Sequence, residues 1–275
     1  MISSGLPIRL TGLLTVGLLL AGLSVHAQRR QVSADSTAPR SSARRMRQPL
    51  PENHPRAIQP GVRRPGIYFP QAPIPGRWRY SIGAVFTTTP PELTEEIRVS
   101  VPAIDFNLQR GISKHWFINS RIQTQIVQSN VGIGVRYAAP ITDRLFVSAG
   151  DDMHVWFGAL QIKDVFDSQA HGMQNFPNVS VGYRFTRDIQ ATIKGEAIID
   201  AYYKSQVGNL SIERNAIRYN GLAVTFAVEQ PLYDKKHVTL GFRAAYSSFN
   251  WQLWSLYDTF DRNLFYPQLI FGFIL

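Results

Sequence analysis

The chain has 275 residues, no cysteine, a formal net charge of +10 and a mean hydropathy of −0.11. Without cysteine, a small secreted scaffold stapled by disulfides is excluded. No apolar run reaches the ~20 residues of a membrane-spanning helix, so a helical membrane protein is excluded too.

The first 27 residues read as a secretory signal peptide. Arg9 gives a positive start, Leu10 to Leu23 is an apolar run, and Val25-His26-Ala27 puts small residues before a cleavage point at Gln28. The run is about 14 residues long, too short to span a bilayer well, which disfavours the alternative of a single anchor.

Residues 28–77 form a Pro/Arg-rich arm. They hold ten Arg and no Lys against two acids, Asp35 and Glu52, whereas Trp78 onward has 18 basic and 17 acidic residues. The basicity belongs to the arm. Nine of the 17 prolines fall there as well, which forbids helix and central strand and favours extended segments. With few apolar side chains to offset ordering entropy, disorder is expected. Ile67, Tyr68, Phe69 and Ile74 near its end are the exception, fit to dock into a partner or back into the body.

From Trp78 to Leu275 the pattern is period two, the mark of strands with two unlike faces. Val131, Ile133, Val135 and Tyr137 oppose Gly132, Gly134 and Arg136, and Leu240, Phe242, Ala244 and Tyr246 oppose Gly241, Arg243 and Ser247. Ten strands are predicted, over 78–88, 97–109, 115–128, 130–139, 144–158, 177–187, 188–204, 217–230, 236–250 and 264–275. Short turns alternate with longer loops, notably 158–176, 205–216 and 250–263.

Lengths of about 10–15 residues exceed the five or six usual in a soluble sandwich and suit a tilted bilayer crossing. The polar faces mix Gly with unlike charges, as a narrow closed lumen requires. Aromatic residues gather near strand ends, where rings favour the lipid–water boundary. The predicted fold is therefore all-β, a transmembrane antiparallel up-and-down barrel of about ten strands in the outer membrane, preceded by the arm. Short turns and arm would face the periplasm, and long loops the outside.

The closing stretch Asn263 to Leu275 ends on alternate apolar residues with nothing polar after them. It resembles the terminal strand of bacterial outer-membrane β-barrel proteins, through Tyr266, Phe271, Phe273 and Leu275. It departs from that pattern at Leu275, where Phe is usual, and at Ile270, where Gly is frequent. The resemblance implies recognition by the barrel assembly machinery. The mature start at Gln28 and the triplet Asp35-Ser36-Thr37, similar to an O-glycosylation motif of exported Bacteroidota proteins, point to a Bacteroidota-type member.

The polar faces carry the residues with chemical potential. Arg121, Arg136, Asp152, His154, Arg184, Lys194, Glu196, Asp200 and Arg243 are predicted to form a lumen charge network. Asp152 and His154 share a face, as an acid–base pair would. Outer-membrane proteases of the omptin class use such a pair at the rim, whereas this one lies nearer mid-barrel. Ser168 and His171, in a predicted loop, lack the strand placement of barrel lipid deacylases. The scattered histidines have no metal-ligand spacing, and no cofactor motif is present. Ten strands leave little open lumen. The expected function is a non-enzymatic structural or accessory subunit with an occluded lumen. A narrow pore and a barrel hydrolase are the alternatives. Expected partners are outer-membrane lipid, the assembly machinery, and a protein held by the arm or by outer-loop contacts at Trp251, Trp254, Tyr257 and Phe260. Export argues against nucleic acid.

Overall fold

The computed structural model describes residues 66–94, 100–162, 166–186, 189–207, 210–233, 236–255 and 262–275. The signal peptide, the arm up to residue 65, and Tyr257 and Phe260 lie outside the described residues. The strands are β1 (Trp78–Thr88), β2 (Ser100–Gly111), β3 (Trp116–Thr124), β4 (Gln128–Pro140), β5 (Leu145–Ile162), β6 (Phe166–Arg184), β7 (Gln190–Val207), β8 (Leu210–Arg214), β9 (Arg218–Tyr233), β10 (Lys236–Ser247) and β11 (Leu264–Ile274).

Sequence neighbours pair antiparallel from β1 to β7, β7 skips β8 to pair with β9, and β11 returns to β1 through Ser81↔Ile274 to Thr87↔Gln268. Ten strands thus close a cylinder, while β8 hangs on the end of β7 through Tyr203↔Arg214 to Val207↔Leu210. Closure satisfies the backbone of every ring strand on both sides, which a lipid environment demands. Both ends of the barrel chain, Trp78 and Leu275, stand at the end where the connections are short.

The period-two pattern becomes two surfaces. Outward lie Ile82, Ile104, Ile133, Val155, Val179, Ile193, Phe226, Leu240 and Leu269, all exposed. Trp78, Tyr80, Trp116, Tyr137 and Tyr183 ring the short-turn end, and Tyr219, Tyr246 and Phe265 the other. A continuous apolar belt on a closed sheet is a surface made for acyl chains, and the aromatic rings mark where headgroups begin.

The long-loop end departs from the predicted spans. Residues 158–176, expected as a loop, continue β5 and β6 as far as Ile162↔Phe166, with 163–165 outside the described residues. The expected loop 205–216 contains β8. Both extensions stand above the apolar belt, where neither face meets lipid, so the alternation that reveals a membrane strand disappears. The residues of the C-terminal motif divide between the two faces. Phe271, Phe273 and Leu275 face outward, but Tyr266 points into the lumen and is 1% exposed. Five residues separate it from Phe271, and an odd separation on a strand means opposite faces.

Candidate functional site

The lumen holds the polar groups, and its contents lie in three layers. At the short-turn end the last part of the arm, Gly66–Gly76, lies inside the barrel. The backbone N–H groups of Ile67, Tyr68 and Phe69 converge on the Glu229 carboxylate of β9 at 2.5, 3.0 and 3.0 Å. Opposite, the Arg79 guanidinium of β1 donates to the carbonyls of Gly66, Gln71 and Ala72 at 3.1, 3.0 and 3.3 Å. Gln109 donates to the Ile67 carbonyl at 2.7 Å. Phe69 packs against Phe146, and the Arg184 guanidinium lies over both rings at 5.2 and 4.9 Å while bonding Gln71. A segment with three prolines pairs poorly as a strand, so most of its peptide groups are satisfied by side chains instead. Gly76, at φ +78°, adopts the left-handed turn that lets the segment leave the lumen and enter β1.

The middle layer is ionic. Arg121 pairs with Asp105 at 2.7 Å, and the Tyr68 hydroxyl of the arm lies 3.5 Å from the same guanidinium. Arg136 pairs with Asp152. Lys194 bridges Asp152 (3.7 Å) and Glu196 (2.6 Å), and Arg243 closes the chain on Glu196 at 2.5 Å. Carboxylates buried this deeply persist only when paired.

The third layer comes from the loop after β10, whose single 3-10 turn Trp251–Leu253 enters the other mouth. The Gln252 side-chain carbonyl accepts from Thr87 and from Gln268 (2.8 Å), and its backbone carbonyl accepts from Gln128 at 2.7 Å. One residue is therefore tied to β1, β11 and β4. Asn220 holds Ser248 and Phe249, and Phe249 packs on Trp156 and Tyr203 at ring distances of 5.4 and 5.3 Å. Between the layers a cavity of about 50 Å³ remains, touched by Ile67 and Tyr68 from one side and Trp251 and Gln252 from the other. That is room for a few waters.

The structure thus brings Arg121, Arg136, Asp152, Lys194, Glu196 and Arg243 together. It places Arg184 at the short-turn mouth and Asp200 near the long-loop rim, where Asp200 accepts from Gln174 (2.7 Å) and Asn220 (3.0 Å). His154 makes no pair with Asp152. Its Nδ1 lies 3.1 Å from the Asn130 side-chain oxygen and its ring meets Phe176 edge-on. Ser168 and His171 both sit on β6, three residues apart and therefore on opposite faces. Trp251 and Trp254, expected to offer contacts outside, are instead 7% and 2% exposed and form part of the inner stopper. Their loop is apolar enough to prefer the dry mouth over water. Asp105, Arg79 and Gln252 were not among the predicted lumen residues, and the contact of Glu229 with the arm was not foreseen. The signal was there for the strand residues, since each occupies lumen parity in an otherwise apolar strand. Among the described residues no cluster of three or more His, Asp and Glu is placed to hold a metal.

Beyond the belt, Lys204 of β7 pairs with Glu213 of β8 at 3.1 Å. That hydrogen bond raises the lysine and lowers the carboxyl from their ordinary values.

No family model and no curated protein matches the sequence. Solved structures with a similar course include the attachment invasion locus protein Ail of Yersinia pestis, at 9% identity and TM-score 0.35 over 74% of this chain and 100% of that one. The Neisserial surface protein NspA gives 10% identity and TM-score 0.32 over 72% and 96%. The translocator domain of the autotransporter NalP from Neisseria meningitidis gives 7% identity and TM-score 0.40 over 72% and 87%. The cylinder and its apolar girdle stand on this chain's own pairing and burial. It is a barrel of the outer-membrane type. Its belt, aromatic rings and polar lumen place it in the outer membrane.

Proposed function

We propose that the protein is a non-enzymatic structural or accessory subunit of an outer-membrane complex, with the barrel as an occluded anchor and the arm as a tether on the periplasmic side. The observation that carries this reading is the lumen itself, filled from both ends by the chain's own segments around a void of about 50 Å³. A cylinder so filled offers an anchor and two surfaces, and no route through. Glu229 and Arg79 support the tether, since their charge-assisted bonds fix Gly66–Gly76 inside the short-turn mouth. A Bacteroidota-type origin belongs to the same reading and rests on Asp35-Ser36-Thr37.

Purification from native membranes in a gentle detergent tests the tether, comparing the whole chain with one lacking residues 28–65. Loss of co-purifying protein on deletion is expected. An unchanged set of partners would contradict it.

A narrow pore is the second reading. It is favoured by the irregular backbone of both stoppers, held by hydrogen bonds, packing and the single Pro75–Gly111 bridge among the described residues and not by a strand ladder. The hydrolase alternative draws less support, since Asp152 is engaged by Arg136, Lys194 and Asn178 and not by His154.

A further inference from the structure

At the long-loop rim β7 is irregular twice at nearly one height. Its pairing with β6 slips between Met173 and Gln174, and its pairing with β9 slips between Ile198 and Ile199. Bulges of this kind re-aim side chains. Here they border a cleft of about 200 Å³ lined by Asp200, Tyr202, Tyr203, Arg214, Arg218 and Phe249. Arg214 and Arg218 are exposed, so the cleft opens to solution while the central lumen stays shut.

We propose that this cleft binds one acidic sugar residue, with its anionic group on Arg218 and a hydroxyl on Asp200.

Three observations select that chemistry. The first is charge. Arg218 stands across from Asp200 in the β7–β9 pairing, and the Arg214 guanidinium lines the same cleft. Arg218 makes no hydrogen bond or salt bridge of its own among the described residues, and its planar fork suits a carboxylate or phosphate. The second is Asp200. Gln174 and Asn220 both donate to its Oδ1, which leaves Oδ2 for a ligand donor. A simple anion or an aromatic acid brings no such donor and would set its own charge against the carboxylate. A hydroxylated ring carries both groups. The third is shape. The buried rings of Tyr203 and Phe249, 5.3 Å apart, form an apolar floor for the C–H face of a sugar. The volume lies below the ~300–1,000 Å³ of sites for larger ligands, so a single ring fits. The proposal does not depend on whether the lumen conducts.

The test is a ligand-observed NMR titration of the whole mature chain in micelles with glucuronic acid, glucose 1-phosphate and neutral glucose. Saturable binding of both anions is expected, at least tenfold tighter than glucose and weakened by salt. Arg218→Ala should lose it at least tenfold and Arg218→Lys less, with an unchanged far-UV spectrum showing the barrel intact. Equal binding of glucose, or equal binding by Arg218→Ala, would overturn the proposal, as would no saturable binding. Nanodiscs with and without lipopolysaccharide then separate the two sources of such sugars. Competition by the glycolipid identifies the protein's own leaflet. Undiminished uronate binding in its presence identifies a soluble polysaccharide.

Discussion

At the scale of single residues, the lumen is decided by carboxylates that have no water to turn to. Glu229 accepts three arm amides and the Thr239 hydroxyl. Glu229→Gln keeps the size but removes the charge and half the acceptor capacity, at about 1.5–3 kcal/mol. The arm should loosen while the barrel persists. Hydrogen exchange at Ile67, Tyr68 and Phe69 is expected to quicken roughly tenfold to a hundredfold, and unchanged protection would show that the carboxylate does not hold the segment. Asp152→Ala strands Arg136 in the lumen and should cost about 3–5 kcal/mol of folding stability, read from urea midpoints in detergent. The sequence displays Asp152 because it stands beside His154 in a conspicuous cluster. It shows Glu229 as one more charge on the lumen face of its strand, but not the arm amides that the carboxylate holds. Outside the membrane the Lys204–Glu213 pair has the ordinary sign. Its contribution is full between the usual carboxylate and lysine ranges, is lost as pH falls through the lowered value of Glu213, and is lost again as pH rises through the raised value of Lys204.

At the scale of elements, strands that cross lipid were legible and those that leave it were not. The alternation of Val131 to Tyr137 predicts β4 because each face meets a different solvent. Ile133, at mid-strand between Ser120 and Met153, is 60% exposed on the lipid side. Ile133→Arg is expected to cost about 2–4 kcal/mol of insertion stability, measured by folding into vesicles over urea. Little change would mean that this face does not meet acyl chains. The β5–β6 extension carries polar residues on both faces and gave no such signal. The inner stoppers were hidden for another reason, since irregular segments have no period. Close approach governs the upper one: a side chain at Gly158 would run into the Trp254 indole. Gly158→Leu should displace that tryptophan and shift its fluorescence to the red, and an unshifted spectrum would count against its buried place.

At the scale of the whole molecule, the small strand number already announced a crowded interior, but not what crowds it. The filling comes from the two ends of the barrel's own chain order: the segment before β1 and the loop before β11. Each meets charges or amides on several strands, so each acts as an internal ligand of the cylinder. Removing one leaves the other in place, and the ionic middle layer lies between them. Conductance in planar bilayers tests this most directly, on the intact chain, on chains lacking either Gly66–Gly76 or the 248–255 turn, and on a chain lacking both. The account predicts silence from the intact chain and from each single deletion, and steady steps from the double deletion alone. Steady open steps from the intact chain would contradict it.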